Sequence, residues 1–250
     1  EEPPERTVWM LCAPSDADLL PTIRSRVRTL RLRDPEVADV ARLIAARTGA
    51  DEVTAEQSAR HAQRHIGMAQ RLATDADARA RREATVRAVL DLRSVSDAVD
   101  AAGKIIAIAT EDAKALSADR DVSEREQMRR SMGLVEGAPV PPAFRSQLSA
   151  LEDDQKRRAT RSLRDGIDRV LTDLQSVFRD MLMVQYGRTE TLINTELQIE
   201  IAAVGEGWGP ERALIALDAI AATLRSLQHN AAPLLAVESM LVTIASGRTP

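Results

Sequence analysis

Apolar residues recur at intervals of three and four along most of the chain, which is the spacing of an amphipathic α-helix. In residues 34–95 caps and breaks divide this pattern into short segments. Pro35 follows a capping Asp at a first helical position, and Thr54 with Gln57 forms a capping box. The pattern predicts three short helices that pack as a small bundle, followed by a longer connecting helix that begins near residue 76.

Residues 96–250 predict a helical C-terminal domain. Helical patterns cover residues 96–116, 210–227 and 231–245, whereas residues 117–142 are charged and then rich in Gly and Pro, which predicts a loop. A long helix between them has a core-facing stripe formed by Leu163, Ile167, Val170, Leu171, Leu174, Val177, Phe178, Met181 and Leu182. The inward positions of the last two helices are Leu214, Leu217, Ile220 and Leu224, then Leu234, Leu235, Met240, Leu241 and Ile244.

Residues 7–13 (Thr-Val-Trp-Met-Leu-Cys-Ala) are a continuous apolar run with β-branched and aromatic members. Such a run is typical of a strand that is buried on both faces of a parallel sheet. No second strand of this kind follows, so its sheet lies upstream of Glu1 or the segment packs in another way. Because the sequence also lacks an initiator Met, we expect a C-terminal fragment whose first 33 residues are poorly ordered or aggregation-prone in isolation.

Composition favours a mainly α fold. Hydrophobic residues make up 44% of the 250 residues, which is enough for real cores, while aromatic residues make up only 2%. Plentiful Ala, Leu, Val and Ile and only 11 glycines suit helices packed through aliphatic side chains better than sheets.

Charge and cysteine content narrow the function classes. The net charge of −4 gives no global attraction to nucleic acid, so any such contact is local or made by partners. Cys12 is the single cysteine, which excludes an internal disulfide and fits a reducing cytoplasm. The sequence contains no run of 18 or more apolar residues, which is the length that a membrane-spanning helix needs.

Two histidines, one charged run and Trp208 are candidates for function, but their patterns favour structural roles. His61 and His65 have the spacing of two helical zinc ligands, but no Glu follows the first His, so we expect exposed or capping histidines and no metal site. Residues 152–158 (Glu-Asp-Asp-Gln-Lys-Arg-Arg) place acids four positions before bases, which predicts ion pairs along an exposed helix rather than a DNA contact. Trp208 lies among glycines and is expected to anchor a loop.

Arg24, Arg26 and Arg28 alternate along the chain close behind the apolar run. Alternating charges usually mean only that one side of a segment is solvated. Arginine is also the side chain that best matches the planar geometry of phosphate groups. The three residues by themselves leave both interpretations open.

Three ordered blocks favour the phosphate interpretation. Glu1-Glu2-Pro3-Pro4, residues 7–11 and residues 19–26 (Leu-Leu-Pro-Thr-Ile-Arg-Ser-Arg) resemble the LEEPP, sensor-1 strand and TI(L/R)SRC blocks of clamp-loader ATPases, in the same order and at matching separations. On these residues the chain is similar to the delta-prime subunits of the bacterial DNA polymerase III clamp loader. The resemblance is specific over residues 1–33, fair over residues 34–95 and generic over residues 96–250.

The resemblance implies an architecture and a site. Residues 1–33 would be the remnant of an α/β AAA+ core, residues 34–95 a three-helix lid, and residues 96–250 a helical collar used in oligomerisation. Arg26 would be an arginine finger that acts in trans on ATP bound by a gamma/tau subunit, with Arg24 and Ser25 in supporting positions. The last helix resembles the end of the collar, where Asn230, Leu234 and Glu238 would lie at a subunit interface, with Asn230 also a helix cap.

Several departures from the pattern of an active ATPase imply that this chain does not hydrolyse ATP. Gly67 stands where the sensor-2 helix of an ATPase carries arginine, and Pro14 ends a segment without the expected Thr or Asn. Val27 in place of the cysteine of SRC is a third departure, which is conservative in volume and concerns the local geometry of that segment. The sequence also has no Gly-x-x-x-x-Gly-Lys-Ser/Thr loop to hold phosphates. The chain would therefore bind no cofactor itself, and ATP and Mg would sit on the neighbouring subunit.

The implied function is that of a stator subunit of the DNA polymerase III holoenzyme, a DNA-directed DNA polymerase and nucleotidyltransferase. The partners would be the gamma/tau and delta subunits, with the sliding clamp and primed DNA engaged through the assembly and no membrane involved. The location would be the bacterial cytoplasm, at the nucleoid during replication. The alternatives are an active gamma/tau-like ATPase subunit truncated before its Walker motifs, and a helical protein-interaction module with a fortuitous SRC-like run.

Overall fold

The computed structural model describes residues 6–13, 15–134 and 141–247. The chain forms two compact units that divide between Glu36 and Val37. Within the described residues the regular structure consists of nine α-helices and short turns of 3₁₀-helix, with no strand. The prediction of a mainly α fold is therefore confirmed.

The described part of the first unit contains one short α-helical turn, α1 (Pro21–Arg24), with Pro21 at its first position. A 3₁₀ turn, Asp16–Asp18, precedes it and is capped by the side chain of Ser15. Arg31 pairs with Asp16 at 2.9 Å between Nη2 and Oδ2. Both charged groups are solvated, so this pair contributes little to stability.

The predicted strand over residues 7–13 is wrong for the structure described. These residues are exposed and have no regular secondary structure; Val8 is 86% and Trp9 is 70% exposed. The physical reason is that a strand needs a neighbour to pair its backbone N–H and C=O groups, and no described segment supplies one. Aggregation of this region in isolation stays a prediction, and Glu1 to Pro4 and Pro14 lie outside the described residues.

The second unit begins with three short helices, α2 (Val37–Thr48), α3 (Glu52–His61) and α4 (Ile66–Thr74). They share a small core of Val40, Ile44, Ala55, Ala59, Ala62, Ala69, Leu72 and Ala78. The predicted capping box at Thr54 is wrong: Asp51 is the N-cap of α3 and accepts hydrogen bonds from the backbone N and Oγ1 of Thr54. These bonds lower the pKa of Asp51.

Five longer helices follow: α5 (Ala76–Leu90), α6 (Val95–Ser131), α7 (Arg145–Gln185), α8 (Gln198–Gln228) and α9 (Pro233–Ser246). They enclose a second and larger core. The predicted stripe of α7 is confirmed, since all its members are buried except the partly buried Leu163. A Cβ on Gly166 would lie 3.2 Å from the carbonyl oxygen of Ala109, so α6 and α7 approach closely there. The proposed domain boundaries at residues 33 and 95 stay predictions.

The loop predicted for residues 117–142 is wrong over its first half, because α6 continues to Ser131. The charged residues there are good helix formers, and Arg120 with Glu124 and Glu126 with Arg130 form pairs four residues apart. A 3₁₀ turn, Pro142–Phe144, leads into α7. Residues 135–140 of the predicted loop lie outside the described residues.

The ion pairs of residues 152–158 also differ from the predicted pairs, which joined acids to bases four residues later. Lys156 contacts Asp153 at 3.5 Å, three residues away, rather than an acid four residues away. Arg158 reaches across to α6, where it pairs with Asp121 at 3.3 Å and with Glu124. The hydrogen bonds from Arg120 and Arg158 lower the pKa of Glu124. Arg158 therefore holds two helices together instead of supporting its own.

Trp208 lies inside α8 rather than in a loop, and it joins the large core. Its ring stacks on Phe178 with 5.8 Å between centroids, and the Arg212 guanidinium lies 4.0 Å from the ring centroid. Arg212 Nη2 also donates a hydrogen bond of 2.6 Å to the carbonyl oxygen of Ala245 in α9. A break at Gly209, whose φ is 71°, permits the turn of α8 at this point.

Three leucines that were expected to face inward do not. Leu214, Leu234 and Leu235 are about half or more exposed, whereas the other predicted inward positions of α8 and α9 are buried or partly buried. Leu234 and Leu235 lie in the first turn of α9, where the helix has only begun to pack. Within the described residues no helix is both long and apolar enough to span a membrane.

Candidate functional site

The segment of the predicted arginine finger lies in the first unit. Arg24 ends α1, and Ser25 and Arg26 form the turn that follows it. The backbone N–H of Arg26 donates a hydrogen bond of 2.9 Å to the carbonyl oxygen of Ile23, and Ser25 Oγ donates one of 3.1 Å to that of Thr22. All three side chains are exposed, and those of Arg24 and Arg26 make no ion pair within the described part of the chain.

The three predicted interface residues lie at the junction of α8 and α9. Asn230 has a φ of 64° and ends α8 in a Schellman motif, with Ala231 N–H bonded to the carbonyl oxygen of Ser226. It is therefore a C-terminal cap of α8, while the N-cap of α9 is Ala232. Leu234 is exposed and Glu238 is half-buried. A role of these residues at a subunit interface stays a prediction.

The two histidines have different environments. His65 is the N-cap of α4, and its Nδ1 accepts a hydrogen bond of 3.1 Å from Met68 N, which confirms the capping prediction. His61 is largely buried instead, with Nε2 2.9 Å from Oε1 of Glu196. Burial opposes the ionised form of Glu196, but the hydrogen bond and charge of His61 outweigh it and lower the pKa of Glu196. No group of metal-ligating residues occurs among the described side chains.

Gly67 is the second residue of α4 and is exposed. A Cβ placed on it would lie 3.4 Å from Cε1 of His65, which is ordinary contact. The position therefore has room for a side chain, and packing gives no reason for glycine. Its correspondence to a sensor-2 arginine stays a prediction.

A cavity of about 350 Å³ lies between α3–α5 on one side and α6 and α7 on the other. Its aliphatic lining comes from Ala62, Met68, Leu72, Ala78, Ile108, Ala109 and Val170. Its charged lining comes from Arg71, Arg81, Arg82, Arg169, Asp112, Asp165, Asp168 and Asp173. An apolar wall with a few convergent charged groups is typical of a small-molecule site.

Asp112 of α6 holds one end of this cavity together. Its carboxylate accepts a hydrogen bond of 2.7 Å from Arg71 Nη1 and one of 2.8 Å from Arg81 Nε. Burial favours the neutral acid, but the hydrogen bonds and charges of Arg71 and Arg81 outweigh it and lower the pKa of Asp112. One carboxylate thus links α4 and α5 to α6.

Arg82 holds the other end. Its side chain is only 7% exposed; Nε donates to Asp173 Oδ1 at 2.9 Å, and Nη2 donates to Asn194 Oδ1 at 2.6 Å. Burial raises the pKa of Asp173 above its ordinary value although Arg82 opposes the change. Asn194 Nδ2 in turn donates to Oδ2 of Asp180, which is fully buried in α7.

Sequence reasoning missed this cluster, although a signal was present. Asp112 stands beside the buried Ala113, and Asp173 stands between the buried Leu171 and Leu174. A charged residue inside an apolar stripe predicts a buried partner, because buried charges are almost always paired. The partners themselves lie 31 to 91 residues away in sequence, so the pattern does not identify them.

Replacing Asp112 with Asn should lower the free energy of unfolding by about 1–3 kcal/mol, because two half-buried guanidinium groups lose their carboxylate. The lowered pKa of Asp112 means that its contribution is complete above the unfolded-state pKa of about 3.9 and is lost as the pH falls through the folded-state value. The difference between wild type and variant should therefore be constant near neutral pH and shrink in acid. Urea denaturation at a series of pH values measures both effects.

The matched control for this prediction is Glu111→Gln. Glu111 is the preceding residue of α6, and its pair with Lys114 is 3.4 Å long and 70% exposed on both sides. Its loss should change the free energy of unfolding by less than about 0.5 kcal/mol at any pH. Equal effects of the two substitutions would contradict the role of Asp112.

Comparison with known proteins gives one similarity, confined to the first unit. Residues 1–36 match the family model described as DNA polymerase III, delta subunit. This stretch contains α1, Ser25 and Arg26 and ends before α2. No curated protein and no solved structure matches the chain. Residues 1–36 are therefore similar to a delta-type subunit of DNA polymerase III, a similarity that points to a clamp-loader-related role in DNA replication.

Proposed function

We propose that this chain is a non-hydrolysing stator subunit of a DNA polymerase III clamp loader. The observation that carries the proposal is the match of residues 1–36 to the DNA polymerase III delta subunit family, because that stretch includes the whole SRC-like segment. The blocks at residues 1–4, 7–11 and 19–26 lie within that stretch and carry the resemblance. The delta-prime subunit is the member whose pattern these residues resemble.

Arg26 would complete the ATP site of an adjacent gamma/tau subunit, where ATP and Mg are bound. Phosphoryl transfer needs positioning and charge stabilisation more than covalent help, and a guanidinium beside the γ-phosphate supplies that charge. Three properties of Arg26 suit this role: it follows a helical turn, its side chain is exposed, and no ion pair in the described residues occupies it. Arg24 and Ser25 would support the loop.

The helices of the second unit would serve assembly. In the proposed arrangement, residues 34–95, which include α2 to α5, form the lid, and residues 96–250, which include nearly all of α6 and the whole of α7 to α9, form the collar. The exposed Leu234 and Leu235 on α9 supply apolar surface of the kind that subunit interfaces bury. The sliding clamp and primed DNA would be engaged through the assembly, in the bacterial cytoplasm.

Co-expression with gamma/tau and delta subunits tests this proposal. The protein should co-purify with both in one complex through size-exclusion chromatography, and removal of residues 1–36 should lower ATP hydrolysis by the complex to the share of the sites that Arg26 does not complete. A protein that remains separate from both subunits would overturn the proposal and favour the helical interaction module. Tight ATP binding by the isolated full-length protein would favour the gamma/tau-like ATPase subunit instead.

A further inference from the structure

The cavity between α3–α5 and α6–α7, which is lined by residues of the second unit, has the properties of a ligand site. Its volume of about 350 Å³ falls within the range of small-molecule sites. The small core of α2–α4 and the large core are separate clusters, and residues of both line the cavity. Hydrogen bonds cross the junction of the two cores beside the cavity, from Gln63 to Thr172, from Arg71 to Asp112 and from Arg82 to Asp173.

The charged side chains that line the cavity differ in how deeply they are buried. Four guanidinium groups, those of Arg71, Arg81, Arg82 and Arg169, are buried or half-buried, and they come from three different helices. Only two carboxylates, Asp112 and Asp173, share that depth, while Asp165 and Asp168 are exposed. Asp75 and Glu196, which do not line the cavity, also pair with Arg71, Arg81 and Arg82. These three guanidinium groups are therefore balanced by carboxylates, and the unbalanced positive group of the interior is Arg169.

Arg169 is the interior cation that is available to a ligand. Arg71 and Arg81 are bonded to Asp112, and Arg82 is bonded to Asp173 and Asn194. Arg169, on α7, has no hydrogen bond or ion pair from its guanidinium to any described residue, although it is half-buried. A guanidinium offers parallel N–H donors that fit a carboxylate or a phosphate, and burial strengthens such a bond.

The turn between α3 and α4 adds a strained backbone at the same place. Gln63 and Arg64 have φ values of 47° and 73°, which non-glycine residues seldom adopt. Gln63 lines the cavity, and its Nε2 lies 3.4 Å from the carbonyl oxygen of Thr172 on α7. Strain of this kind is concentrated at ligand-binding and catalytic sites.

We propose that this cavity binds a small organic oxyanion, a phosphate or carboxylate joined to a short aliphatic body. The oxyanion accepts hydrogen bonds from Arg169, and the body lies against Met68, Leu72 and Ile108. The inference does not depend on the proposed clamp-loader function.

The test uses hexyl phosphate and the full chain. Isothermal titration calorimetry should give saturable binding with one molecule per chain, whereas inorganic phosphate, hexanol and hexylammonium should each bind at least about tenfold more weakly. Arg169→Gln should weaken binding of hexyl phosphate by about tenfold or more while changing the thermal midpoint of the free protein little, since Arg169 makes no hydrogen bond or ion pair within the described residues and loses only its longer-range attraction to Asp173. Arg157→Gln is the matched control, because Arg157 is on the same helix and outside the cavity.

The methyl resonance of Met68 gives a readout that needs no variant. It should shift on addition of hexyl phosphate, since Met68 lines the cavity. Absence of saturable binding, equal affinity for hexylammonium, or an unchanged affinity in Arg169→Gln would each overturn the proposal.

Discussion

If the proposed function holds, a clamp loader assembled with Arg26→Ala in this chain should lose ATP hydrolysis at the one site that Arg26 would complete. Arginine fingers contribute about 10³–10⁵-fold to the rate of phosphoryl transfer. Without one, ATP hydrolysis at that site becomes too slow to contribute to clamp loading. The other ATP sites of the proposed assembly would not depend on Arg26. The clamp- and DNA-stimulated rate of the whole assembly should therefore fall to the share that those sites supply, which steady-state ATPase assays measure.

Two further variants make this result specific. Arg26→Lys should behave almost like Arg26→Ala, because an ammonium group lacks the planar fork that meets two phosphate oxygens at once. Arg28→Ala is the matched control, since Arg28 is exposed and only two residues away. Size-exclusion chromatography of each assembly separates a loss of hydrolysis from a loss of assembly. An intact Arg26→Ala loader with full stimulated hydrolysis would contradict the finger.

The helical part of the fold was predictable because its information is local. The stripe of α7 repeats over several turns, and only a helix brings those residues to one face. The end of α6 was missed because charged residues resemble a loop in composition, although Arg120, Glu124 and their neighbours stabilise a helix through pairs along its surface. Composition alone does not distinguish a solvated helix from a loop.

The strand and the cavity were less predictable because each depends on partners distant in sequence. An apolar run such as residues 7–13 becomes a strand only where another segment pairs with it. The cavity needs Arg71, Arg81 and Asp112, which belong to three helices, and their meeting depends on how α4, α5 and α6 pack. For Arg26 the sequence provides a resemblance to clamp-loader ATPases. The match to the DNA polymerase III delta subunit family covers the same segment and ends at residue 36.

Asp180 illustrates how a buried polar group organises the fold around it. The chain between α7 and α8 includes two 3₁₀ turns, Thr189–Thr191 and Thr195–Leu197. Asp180, with no exposed surface, accepts hydrogen bonds from the backbone N–H groups of Ile193 and Asn194 and from Asn194 Nδ2, at 2.7–3.1 Å. Asn194 then bonds to Arg82 on α5. One carboxylate thereby fixes the connection against two helices.

Replacing Asp180 with Ala should lower the free energy of unfolding by about 3–5 kcal/mol, the largest stability effect expected in this chain. The substitution leaves two buried backbone N–H groups without an acceptor, and each orphaned donor costs about 1–3 kcal/mol. Asp180→Asn keeps one acceptor oxygen and should fall between wild type and Asp180→Ala. Urea denaturation measures the three proteins, and hydrogen exchange at Ile193 and Asn194 locates the loss.

The matched control is Asp153→Ala, because Asp153 is exposed on the same helix and contacts only Lys156 at 3.5 Å among the described residues. Its free energy of unfolding should stay within about 0.5 kcal/mol of wild type. If Asp180→Ala does not fold, Asp180→Asn alone decides the matter, since its amide exchange at residues 193 and 194 should still be faster than in wild type. Unchanged exchange at these residues, with unchanged stability, would contradict the role of Asp180. Water or other groups would then accept the hydrogen bonds of the N–H groups at residues 193 and 194.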